Sequence, residues 1–145
     1  MLAEVIDFEA EKRKREALQN LRREKEAQFT HAATVFVTSF NEINGGKSFD
    51  GFSWIRLANL YAIASICYYK QDFSPMSDAT FDALCLHLLD NLDEALADRA
   101  GGLGEEKFLK ADMLAAGSGF DTSLFDNFLI DAAHFVESIM VRQND

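Results

Sequence analysis

The chain has 145 residues, of which 48% are hydrophobic, with 13 Phe, a single Pro, 8 Gly and a formal net charge of −10 at pH 7. That length falls within one domain and buries roughly two-thirds of the unfolded surface, so folding needs no metal or disulfide staple. The acidity is concentrated in residues 71–145, with 4 basic and 15 acidic side chains. It opposes direct binding to nucleic acid, whose affinity rests on Lys and Arg neutralising phosphates. It suits a basic protein partner, and equally suits solubility alone.

In chain order, residues Met1 to Phe8 lack the positive n-region and apolar run of a secretory signal. No stretch reaches the ~18 apolar residues of a membrane span. The expectation is a cytoplasmic protein with no membrane contact. Residues 4–28 form a charged run in which Glu11–Arg15, Lys12–Glu16 and Arg22–Glu26 fall at i,i+4 spacing, where opposite charges support an exposed helix. Only Phe8, Leu18 and Leu21 interrupt the polarity. Residues 1–28 are therefore read as a charged helical arm, frayed or ordered by a partner, and as a surface for homo-oligomer formation. From Phe29 the same helix turns apolar and should stop at Asn44-Gly45-Gly46.

A second helix is predicted from about Phe52 to Lys70. It is apolar almost all round, with only Arg56 and Asn59 inside it, and so reads as the most buried element. Gln71 to Ser77 is a loop, and Ser77 or Asp78 caps a third helix. Its positions Phe81, Leu84, Cys85, Leu88, Leu89, Leu92, Ala95 and Leu96 fit the helical template without a miss, up to Gly101-Gly102. A fourth helix is expected from about Glu105 to Ala115, then a turn at Gly117-Ser118-Gly119. A fifth is capped by Asp121 or Thr122 and runs through Phe125, Leu129, Ala133 and Met140. Nothing alternates as a strand does. The fold class is all-α, an irregular bundle of about five helices, with residues 29–145 as a single domain holding a hairpin at 52–99.

Residues that carry chemistry are sparse. His31, His87 and His134 fall on three different helices with no metal-ligand spacing. Cys67 and Cys85 sit among apolar residues and read as buried free thiols. His134 beside Asp131 has the look of a base and its orienter, and reads as an exposed i,i+3 pair. No catalytic set is assigned, and no resident cofactor or metal is expected.

One segment stands apart: Tyr68-Tyr-Lys-Gln-Asp-Phe-Ser-Pro75-Met-Ser-Asp78-Ala-Thr-Phe81-Asp82-Ala-Leu84, followed by Leu88-Leu89. A helix end, a proline loop and a helix start of the form Ser-Asp-x-x-Phe-Asp-x-Leu resemble the small N-terminal (Ia-type) helical domain of bacterial NAD-dependent DNA ligases. The likeness covers some 22 residues. In that family the segment grips the nicotinamide mononucleotide half of NAD. The resemblance implies cofactor-binding roles for Tyr68, Asp78 and Asp82, which match the family's Tyr and two Asp. It also points to Tyr69, which stands where the family usually has His, and to Phe81, which stands where it has Tyr. The two departures remove polar contacts and leave aromatic faces. Helix capping and core packing account for the same residues without any ligand.

A second element, Asp112-Met-Leu-Ala-Ala-Gly117-Ser-Gly119-Phe120, is similar to one in small phage and prophage proteins related to that ligase domain. The adenylation domain, oligonucleotide-binding domain and zinc cysteines of a ligase are absent from the sequence, so ligase activity in this chain alone is excluded. Two expectations follow. One is a non-catalytic, phage-encoded accessory protein acting through a protein partner of host or phage. The other is a small binder of NAD or nicotinamide mononucleotide through the ligase-like segment.

Overall fold

The computed structural model describes residues 2–97, 108–119 and 121–144. Among these the chain is all-α, with six helices and no strand. Helix α1 (Leu2–Asn44) is continuous over 43 residues, about 65 Å at 1.5 Å per residue. It stops where the sequence demands: Gly46 takes φ 102°, and the amides of Gly45 and Lys47 return to the carbonyls of Asn41 and Glu42. A 3-10 turn (Phe49–Gly51) then leads to Ser53, whose hydroxyl accepts from the Arg56 amide and caps α2 (Trp54–Gln71).

Helix α2 is the core, as its all-round apolar sequence predicts. Every residue from Tyr61 to Cys67 is buried, together with Leu57, Ala58 and Leu60. α1 packs on α2 and on α6 (Asn127–Asn144), while α3 (Asp78–Asp90) covers another side of α2 and meets the short α5 (Ala111–Ala115). Ser77 caps α3, its oxygen accepting from the Thr80 amide at 3.2 Å.

Three sequence expectations are corrected. The third helix is not one rod. It breaks at Asn91, whose side-chain amide bonds back to the His87 carbonyl at 2.9 Å, and resumes as α4 (Leu92–Ala97). A side chain that captures a carbonyl one turn back competes with the ladder and bends the chain. The apolar stripe alone did not register that. The fourth helix is not continuous: Phe108 is helical, Lys110 is extended (φ −109°, ψ 131°), and α5 begins at Ala111; residues 105–107 and the expected stop at 101–102 lie outside the described residues. Asp121 caps a 3-10 turn (Thr122–Leu124) rather than the last helix. Phe125 plugs the core ahead of α6, its ring 5.3 Å from that of Phe108.

The arm stands away from this core. Every residue from Asp7 to Gln28 is exposed, and the first ring contact of α1 with another element is Phe29 against Phe135, at 6.2 Å. The ion pair that Arg13 makes with Glu9 in the arm, at 3.7 Å, is exposed on both sides, and such pairs add little. Deleting residues 2–28 is therefore expected to shift the melting temperature by no more than about 2 °C in a circular-dichroism melt. A fall of 10 °C would show that the arm packs on the bundle or on a second copy.

Candidate functional site: a cleft at the end of the central helix

All five side chains singled out in the sequence line one cleft of about 360 Å³. Tyr68 and Tyr69 come from the last turns of α2, Pro75 and Met76 from the loop, and Asp78, Phe81 and Asp82 from the first turns of α3. The local cause is the α2 stop. Asp72 adopts the left-handed conformation (φ 50°, ψ 44°), and the Phe73 amide bonds to the Cys67 carbonyl at 3.0 Å, which turns the chain sharply. Asp tolerates that conformation better than most residues. Buried Pro75 and Met76 then seat the loop, so that α3 starts beside the end of α2.

The aromatic walls differ in kind. Tyr68 and Tyr69 are both exposed and set edge to face, centroids 4.8 Å apart. Phe81 is half-buried and lies parallel to the buried Tyr61 ring at 5.9 Å, which fixes its plane. Ser77, one of the two residues expected to cap α3, supplies the cap, and Asp78 lies in the first turn, where the helix dipole favours an acid. Among the described residues neither Asp78 nor Asp82 has a hydrogen bond or ion pair. Both face solvent at the cleft.

The remaining wall went unassigned in the sequence. Ala116, Gly117 and Ser118 close the cleft from the turn after α5. Gly117 takes φ +64°, a backbone conformation that favours glycine, and a Cβ there would lie 2.8 Å from Asp82 Oδ1, which would have to rotate aside. Ser118 pairs its hydroxyl with the Tyr69 hydroxyl, and its carbonyl accepts from Tyr61 Oη at 3.4 Å. Gly119 is packed so close to Ser65 that no side chain fits between them. The two phage-like and ligase-like elements of the sequence thus meet at one place. Ser65 and Ala64 were missed as well. They lie one helical turn before Tyr69 and Tyr68, and that spacing was the available signal.

No phosphate-binding cation lines the cleft; its charged groups among the described residues are the two carboxylates. Beside it, burial pushes the Cys85 thiol up to about 12, with the Asp82 charge adding to the effect, and burial likewise pushes Cys67 up to about 12. Both are protonated at neutral pH and act as packing groups. His134 and Asp131 are exposed on α6, apart from the cleft. Among the described residues no group of three His, Cys, Asp or Glu could hold a metal ion, and no helix is long and apolar enough to cross a membrane. No protein-family model matches the chain, and no curated protein or solved structure matches it.

Proposed function

We infer that this chain is a non-catalytic binding protein whose cleft takes the nicotinamide riboside portion of NAD or of nicotinamide mononucleotide. The observation that carries the reading is the convergence of Tyr68, Tyr69, Asp78, Phe81 and Asp82, separated by up to fourteen positions in sequence, on one open cleft. The chemistry of that cleft agrees with the ligand. The oxidised nicotinamide ring is a flat cation, and aromatic faces together with carboxylates are what attract such a group. The phosphate, for which the lining offers no cation, stays in solvent. The missing hydroxyl at Phe81 is consistent with recognition by stacking and charge more than by hydrogen bonds.

Titration of nicotinamide mononucleotide is expected to raise the melting temperature by several degrees once its concentration is about a hundredfold above Kd, where linkage supplies about 2.7 kcal/mol. Asp82→Asn, at an exposed position outside the core, should fold normally and bind at least about tenfold more weakly, a loss of about 1.4 kcal/mol. Melting curves that stay flat with both NAD and the mononucleotide would overturn the reading.

A second reading, a phage accessory protein that docks a protein partner, is favoured by a separate observation. The arm leaves Phe8, Leu18 and Leu21 exposed at 63%, 55% and 46%, and large apolar groups on a solvated helix are candidates for burial by another chain. The two readings are compatible. Deletion of residues 2–28 should abolish partner capture and leave the nucleotide shift intact.

A further inference from the structure

The arm carries charge of the opposite sign to the body it leaves. Between Lys12 and Lys25 seven basic side chains stand against two acidic ones, and all of them are exposed. Among the described residues only Arg13 of the seven has an ion pair, with Glu9. Leu18 and Leu21 lie exposed in the same segment. Helix α1 runs unbroken through it, so the arm cannot fold back onto its own bundle.

The placement of these charges selects the kind of surface that fits. Lys12 to Arg15 are four consecutive cations that together circle the helix, which leaves no clean apolar face for a lipid surface. A phosphate backbone would use the cations and leave the two leucines idle. Two arms do not suit each other either. With Leu18 and Leu21 as a coiled-coil seam, Lys14 and Lys25 occupy its neighbouring positions, and Lys meets Lys in either orientation. What suits the arm is an apolar group flanked by carboxylates.

The chain itself has such a surface. From Gln71 to Asp98 there are seven acidic residues and no Lys or Arg. Within that stretch Asp82, Leu86 and Asp90 follow one another at i,i+4 spacing on α3, all three exposed, and so form one ridge. Among the described residues neither aspartate has an ion pair. Lys14, Leu18 and Arg22 make a ridge of the same spacing on the arm. On both helices each charge lies about 6 Å along the axis from its leucine. Seating one leucine on the other therefore brings both cations to both carboxylates, whichever way the helices run.

Resting on the reading of the arm as a protein-docking element, we propose that the arm of one copy lies on α3 of a second copy, Leu18 on Leu86, with Lys14 and Arg22 against Asp82 and Asp90. Each copy offers both surfaces, so a reciprocal contact closes a dimer and a one-way contact builds longer chains. Two such ridges make a small interface of the weak, transient class, and association belongs at about 100 µM and above. At the roughly ten-micromolar concentration of a melt the copies are apart, and loss of the arm is silent there.

The test is sedimentation equilibrium of the full chain at low salt from about 10 µM to about 1 mM, where the average mass should rise with concentration. Deleting residues 2–28 should abolish the rise, and about 0.5 M salt should weaken association several-fold. Leu86→Ser should weaken it at least about fivefold. Lys14→Glu with Arg22→Glu should weaken it at least about tenfold, and so should Asp82→Lys with Asp90→Lys. The four substitutions in one chain reverse both ridges and should restore association to within about threefold of the parent. A chain that stays monomeric at about 1 mM, or a folded fourfold variant no better than the twofold ones, would overturn the proposal. Capture of a different protein through the arm would then leave the docking reading standing without a second copy as partner. Retention by duplex DNA or by anionic vesicles, lost with the arm in a chain that stays monomeric, would overturn both.

Discussion

Gly119→Ala is expected to destabilise the protein by at least about 2 kcal/mol, the range of core overpacking with no room to relax. An added Cβ would lie 2.0 Å from Ser65 Oγ and 2.4 Å from Ser65 Cβ. Both residues are buried, and Ser65 is fixed on the central helix, its hydroxyl donating to the Tyr61 carbonyl at 2.7 Å. Rotating the serine relieves the first clash and not the second. The pair of second-site variants separates the two. Ser65→Ala in the Gly119→Ala background should recover little, because the alanine retains the offending Cβ. Ser65→Gly should recover most of the loss, less the ~1 kcal/mol that glycine costs inside a helix. Urea denaturation of the parent, Gly119→Ala, the two Ser65 single variants and the two double variants reads both cycles. If Gly119→Ala were as stable as the parent, the turn after α5 would not lie against α2, and the wall of the cleft would lie elsewhere. The same variant should weaken any nucleotide response, since a displaced turn carries Gly117 away from Asp82 and Ser118 away from Tyr69.

The sequence made this architecture legible where periodicity and punctuation coincide. Asn44-Gly45-Gly46 stops α1, Ser77 caps α3, and a helix with only Arg56 and Asn59 to interrupt its apolar surface becomes the core. It was less legible where a single side chain overrides a pattern. Asn91 breaks an otherwise unbroken stripe through its own hydrogen bond, and an extended Lys110 separates α5 from helical Phe108. Nothing in hydrophobic spacing records either event. The cleft was half legible. Residues on α2 and α3 are contiguous in sequence and could be grouped by their motif. The opposing wall, Ala116 to Ser118, is about forty residues further along, and its placement depends on how α5 packs on α3. A separate groove between α1, α2 and the start of α6, of about 750 Å³, was not legible at all, because its walls come from three elements distant in sequence.

Tyr61 is the residue on which core and cleft depend together, and truncating it should have the largest effect of any single change in α2. Its ring is fully buried, stacks on Phe81 at 5.9 Å and meets Phe125 edge-on at 6.3 Å, so it joins α2, α3 and the segment before α6. Tyr61→Ala removes that volume from a site closed on several sides, and the expected loss is about 3–5 kcal/mol, part of it from the aromatic pairs themselves. The hydroxyl contributes far less. Its bond to the Ser118 carbonyl is long at 3.4 Å, and Tyr61→Phe should cost no more than about 1 kcal/mol. Burial raises the phenol well above its ordinary range, so it stays protonated and donating at any pH where the fold is studied. Equilibrium unfolding of the two variants therefore separates ring from hydroxyl. A large loss in Tyr61→Phe would mean that the turn at Ser118 is held chiefly by that bond. A small loss in Tyr61→Ala would mean that α3 is not seated on α2 through Phe81. In the expected case the cleft also suffers, because Phe81 keeps its plane only while Tyr61 lies behind it, and a nucleotide response should vanish in Tyr61→Ala and survive in Tyr61→Phe.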